Sequence, residues 1–229
     1  MNELIFNGKA ISEFGAFYDS HQAFNTPERD MEYVEILGRD GDLIIDNDRF
    51  KNIEINFPCY IPTDFLPKYR TLMAYLNSQR GYKRLEYSQE PDHYRLASFA
   101  GNVEANPLQL HRAGRFTLPF ICKPQRYLKS GEIPVSASEL WNPTYFDSHP
   151  LIRCYGSGSL TINSQTITVA SNPYEYVDID CDIMDAFCGA NNANSYVSFN
   201  TDSVVLKSGT NGITHNMTKV EITPRWYEI

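Results

Sequence analysis

Four aspartates stand close together at Asp178, Asp180, Asp182 and Asp185. Residues two apart on a strand share a face, so the first three carboxylates could align as hard oxygen ligands of the kind calcium takes. The interleaved Val177, Ile179, Cys181 and Ile183 form the opposite, apolar face. That alternation alone makes the aspartates the wet side of a half-buried strand, and no glycine-bearing loop of EF-hand spacing accompanies them. A solvated face is expected, and no metal is assigned.

Other chemistry-bearing residues are scattered. His21, His93, His111, His149 and His215 lie far apart and none forms an HxxxH pair, so no zinc site is announced. Gly156-Ser157-Gly158-Ser159 lacks the GxSxG spacing of a nucleophile elbow and reads as a turn into a strand. Cys59, Cys122, Cys154, Cys181 and Cys188 are odd in number and lack CxxC spacing, so they read as reduced, packed thiols rather than a disulfide framework or zinc knuckle. Gly38-Arg39-Asp40-Gly41-Asp42 lacks the GxxxxGK[ST] pattern of a phosphate loop, so its glycines are turn formers. No catalytic residue and no cofactor is assigned.

The elements that would carry these residues are mainly strands. Period-two alternation marks Tyr33 to Leu37, Asn52 to Phe57 and Tyr82 to Tyr87 as half-buried strands. Ser88 to His93, with Pro91, is a polar turn that pairs Tyr82–Tyr87 with Tyr94–Phe99 as a hairpin, and a further strand is expected over Arg115 to Phe120. One helix is expected from about Asp64 to Arg80, where Phe65, Leu66, Tyr69, Leu72, Met73 and Leu76 share one face. Thr63 or Asp64 is placed to cap it, and Gly81 to end it in the left-handed conformation. Between Lys129 and Pro150 periodicity fails among Pro134, Pro143 and Pro150, which reads as a connection. Gly158 to Ile162 and Thr166 to Val169 flank a short turn, and Tyr174 to Ile183, Tyr196 to Phe199 and Lys219 to Ile222 add strands of an expected β-sandwich.

The 229 residues, 42% hydrophobic, are enough to bury one or two cores. Twenty basic against 28 acidic side chains give −8, and residues 134–229, with 4 basic and 10 acidic, hold −6 of it. That balance argues against gripping phosphates, which needs clustered cations, so no sequence-specific nucleic-acid binding is expected. No basic leader precedes an apolar run and no stretch reaches the ~20 apolar residues of a membrane helix, so synthesis and assembly in the cytoplasm and no membrane partner are expected.

Several segments together resemble the distal tail proteins of siphophages. They are Gly38-Arg39-Asp40-Gly41 with Asp46, Arg49 and Asn52 downstream; Ile53-Glu54-Ile55; the helix before Gly81; Phe120-Ile121-Cys122-Lys123-Pro124; and Gly209 to Ile213 followed by Val220 to Arg225. The resemblance implies two domains, taken as 1–133 and 134–229: an N-terminal β-rich domain with one α-helix that forms a ring, and a C-terminal galectin-like β-sandwich. It implies a non-enzymatic, homohexameric hub in the virion tail tip or baseplate, between the tail-tube protein and the tail-associated tip protein, whose bore passes DNA. A receptor-binding protein is a further implied partner. The galectin sugar pattern His-x-Asn-Pro-Arg is absent; Trp141-Asn142-Pro143 and Trp226-Tyr227-Glu228 are fragments of similar composition. A carbohydrate-binding adhesion module is the rival reading. Subunit contacts are expected at Gly38, Arg39, Asp40, Gly41 and Asp42 and at Pro91, because exposed turns that combine charge with a defined backbone suit such joints.

Overall fold

The computed structural model describes residues 2–19, 26–108 and 112–229 of the chain. His21 and His111 lie outside the described residues. The chain divides into two compact units, residues 1–126 with Ile229, and residues 127–228.

The first unit contains strands β1 (Leu4–Phe6), β2 (Lys9–Ala10), β3 (Phe17–Tyr18), β4 (Arg29–Val34), β5 (Leu43–Phe50) and β6 (Ile53–Ile61), helix α1 (Phe65–Ser78), then β7 (Lys83–Tyr87), β8 (His93–Phe99), β9 (Ala105–Leu108) and all but the last two residues of β10 (Ala113–Leu128). They form one sheet in the order β2-β1-β7-β8-β10-β6-β3, with β9 added to the start of β10, while β4 and β5 make a separate two-stranded ribbon. Alternation decides the buried face: Ile53, Ile55, Phe57, Cys59 and Ile61 point into the core, whereas Glu54, Asn56 and Tyr60 point out. Phe57 meets Phe120 edge-on at 5.9 Å, and Phe6 lies 5.0 Å from Phe120. Each such side chain contributes roughly 1.5–3 kcal/mol through burial.

Helix α1 closes this core with Phe65, Leu72 and Leu76, with Tyr69 and Met73 at the margin and Leu66 left exposed. Neither expected cap forms at its start. Asp64 is left-handed with no side-chain cap bond, and Thr63 instead accepts a 2.8 Å bond from Lys68. At the other end Gly81 does take a left-handed conformation, two residues beyond the C-cap Gln79. The helix sits so close to β10 that a Cβ on Gly114 would lie 2.4 Å from the Phe65 ring.

The second unit packs two sheets around one core. Strands β11 (Glu139–Asn142), β12 (Leu151–Tyr155), β13 (Gly158–Ile162), β14 (Gln165–Val169), β15 (Tyr176–Asp180), β16 (Asp185–Cys188), β17 (Asn191–Asn192), β18 (Val197–Phe199), β19 (Gly209–His215) and β20 (Lys219–Thr223) form sheets β11-β19-β13-β14-β18 and β17-β16-β15-β12-β20. Leu160, Ile162, Ile167 and Ile213 from one sheet share a core with Ile152, Val177, Ile179 and Ile222 from the other, which makes a β-sandwich.

Residues 129–150, expected as a connection, are built into this unit. Val135 bridges Ile222, β11 pairs with β19, and Ser148 bridges Leu206. Two buried amides supply bonds where the ladder stops. Asn142 donates to the carbonyl of Phe146 at 2.9 Å and accepts from the Thr144 amide at 2.9 Å; Asn211 donates to the Lys207 carbonyl at 2.8 Å and accepts from its amide at 2.8 Å. Burying a polar group is tolerated when its bonds are met in this way.

Candidate assembly surface

Two of the four clustered aspartates, Asp178 and Asp180, are paired with arginine. Asp178 faces Arg153 across the β12–β15 register and is only 5% exposed, so the solvated face expected of it is corrected. Arg153 donates twice to it, at 2.6 and 2.8 Å, and its guanidinium stacks 4.2 Å from the Tyr176 ring. Arg225 forks onto Asp180 at 2.7 and 2.9 Å. Burial raises the Asp180 carboxyl, but the Arg225 bonds and the Asp182 amide outweigh it and hold the group below its ordinary value. Asp185 accepts from Asn194 at 2.6 Å. Among the described residues no group of three or more His, Cys, Asp or Glu is placed to hold a metal ion.

The cysteines are free, and four of them are buried. Burial pushes the thiols of Cys122, Cys154 and Cys181 up to about 12. His93 lies on β8 of the first unit and His215 on β19 of the second. Gly158 lies tight against Asn216, whose side-chain oxygen accepts from the Ser159 amide at 2.6 Å, so the Gly/Ser stretch is a packed turn.

The expected contact residues fall on two different elements. Pro91 is exposed in the β7–β8 turn, yet its neighbour Glu90 is buried and anchors that turn to the unit. Tyr87 donates its hydroxyl to Glu90, Arg126 pairs with it at 2.5 Å, and Arg95 lies 3.9 Å away. Burial raises the Glu90 carboxyl, but Tyr87 and the two arginines prevail and hold it below its ordinary 4.5.

Gly38 to Asp42 lie instead in the loop that ends the β4–β5 ribbon, with Gly38 and Gly41 at φ +80° and +77° and the Arg39 amide donating to the Ile36 carbonyl at 3.1 Å. No residue from Arg29 to Phe50 is buried. Tyr33 pairs with Ile44 and Met31 with Asp46 on one face; Val34 pairs with Leu43 and Glu32 with Ile45 on the other. Both faces therefore present apolar side chains to solvent, with Tyr33 58%, Ile44 55% and Leu37 fully exposed. The half-buried strand expected over Tyr33–Leu37 is corrected: pairing stops at Val34, and Ile36 and Leu37 stand out in the loop.

A two-stranded ribbon is marginal in water by itself, and a contiguous exposed apolar patch marks a surface that another molecule covers. The alternation that marked a strand at Tyr33–Leu37 was also the signal for this surface. It does not disclose whether a strand's apolar face meets its own core or a neighbour.

Residues 16–122 match the phage tail protein RIFT-related domain family. No curated protein matches the chain. Over its full length the chain superposes on the whole of the SPP1 Dit protein, described as a paradigm of the hub adsorption apparatus in phages that infect Gram-positive bacteria, with a TM-score of 0.73 and 14% identity. It also matches a chain of the phage P2 baseplate in its activated conformation with Ca, with a TM-score of 0.56, 11% identity and 97% of each chain covered. With that domain match within its first unit and that likeness over its whole length, the chain carries a segment similar to the phage tail protein RIFT-related domain and has the fold of the SPP1 Dit protein.

Proposed function

We propose that this protein is the hub of a long, non-contractile tail. Six copies close into a ring that joins the tail tube to the tip and lets DNA pass, and the ribbon from Arg29 to Phe50 is the joint between neighbours. The observation that carries this reading is the ribbon itself, with apolar side chains on both faces and no buried residue between Arg29 and Phe50. An element with that chemistry on every copy suits a heterologous contact, in which one patch meets a different patch on the next subunit and rotation closes the ring. The excess of acidic side chains suits a conduit, since dense cation clusters would hold phosphate rather than let it slide. The first unit then stacks between the tail-tube protein and the tail-associated tip protein. The galectin-like second unit serves as a platform for peripheral components such as a receptor-binding protein. The role is structural and non-enzymatic, in a virion assembled from subunits made in the host cytoplasm.

Light scattering over a concentration series with negative-stain images tests this reading. Six-subunit rings with a central hole are expected; a monomer at every concentration, with and without purified tail-tube protein, overturns it.

A second reading, adhesion through a neutral glycan, is favoured by Trp141. It is 66% exposed on the outer face of β11, beside Thr210 and on the same sheet face as Thr161, Thr166 and Thr168. Binding of host wall polysaccharide by the full chain, abolished by Trp141→Ala, would support it.

A further inference from the structure

The ribbon lacks a core, so something else must hold its two strands in register before a partner covers them. Its distal half has apolar cross-strand pairs; its root has charges. Arg29 reaches across to Asp46 at 2.6 Å and Arg49 to Asp30 at 2.6 Å. Lys51 lies 3.5 Å from Glu28 and 4.0 Å from Asp30, and its amide donates to the Glu28 carbonyl at 2.8 Å. The Arg29 guanidinium also lies 5.0 Å from the Phe50 ring. Register shifts between Arg29 and Met31, so backbone pairing is irregular just where these ion pairs cluster.

We propose that this ionic ladder at the root orders the arm in the unassembled subunit, so that ionic strength governs how far the arm is preformed for its partner. The consequence for assembly rests on the ring-joint reading above; the ladder itself does not. Single exposed ion pairs contribute little, but here several act together on an element with no buried contacts to dominate them. Solvent reaches each pair from its basic side, with the Arg49 and Arg29 side chains 71% and 45% exposed against 17% for Asp30 and 33% for Asp46, so salt can screen them. The Debye length falls from ~10 Å at 0.1 M salt to ~3 Å at 1 M. Hydrophobic pairs respond in the opposite sense or not at all, which separates the two possible holders.

Hydrogen exchange of the full chain, read on peptides covering residues 29–50, tests this. Sodium chloride raised from about 0.05 to about 1 M should speed exchange in the arm about three- to fivefold while leaving β6 and β10 unchanged. Arg49→Asp should do the same at low salt, and the exchanged pair Arg49→Asp with Asp30→Arg should restore protection. Unchanged or slower arm exchange in high salt overturns the ladder, as does a double variant no better protected than the single one. Protection of β6 and β10 reports whether each variant is folded, and the salt series on the unaltered chain needs no variant. Ring mass on the same samples separates the two readings. Arm exchange that follows salt while ring mass ignores it supports the ladder and removes the arm from the ring joint.

Discussion

Glu90 is a carboxylate whose value depends on its surroundings rather than its position. It sits buried between Arg126 and Arg95 with the Tyr87 hydroxyl on it, and together they hold it below its ordinary 4.5 despite burial. A carboxyl whose folded value lies below its unfolded one adds stability that is complete above the unfolded value and fades as pH falls through the folded one. Glu90→Gln should therefore cost about 1–3 kcal/mol near neutral pH, because two arginines lose their counter-charge. It should also flatten the loss of stability as pH drops below about 4.5. Urea unfolding at a series of pH values checks both; a parallel curve for the variant would sink the account. Gly114 gives a steric counterpart. Alanine there would press on the Phe65 ring, with a cost of about 1–3 kcal/mol in the same urea experiment.

At the scale of elements, the sequence disclosed what local rules determine. Alternation over Ile53–Phe57 and the polar turn at Ser88–His93 fixed β6 and the β7–β8 hairpin because period and turn chemistry are written within a few residues. The short edge strand Glu139–Asn142 escaped notice because four residues among prolines carry no period, and its place depends on β19 some 70 residues later. Asp178 misled for a similar reason: Arg153 shields it from the neighbouring strand, which no local pattern reveals. The arm was legible as a strand and a turn but not as a surface. Being exposed, it can be altered without touching a buried residue. On the ring-joint proposal, Leu37→Asp, Ile44→Lys, or charge reversal at Arg39 or Asp40 should lower the oligomer mass by light scattering and leave the unfolding free energy of the subunit within the range of a neutral surface change, about ±0.5 kcal/mol. A full-mass oligomer from all four variants would remove the arm from the interface.

At the scale of the molecule, two cores lie in one chain, and each holds its own thiols. Cys59 and Cys122 belong to the first core, Cys154 and Cys181 to the second. Burial raises all four, to about 12 for Cys122, Cys154 and Cys181, so a labelling reagent that attacks thiolate meets little of it until the surrounding core opens. The four cysteines thus report the opening of the core that holds each one. Ile152→Ala removes a fully buried side chain from the second core and should destabilise it by about 2–5 kcal/mol. In a denaturant series read by thiol labelling and mass spectrometry, Cys154 and Cys181 should then label at lower denaturant while Cys59 and Cys122 keep their midpoint. If all four midpoints moved together, the chain would unfold as one cooperative body, and the independence of its two cores would have to be given up.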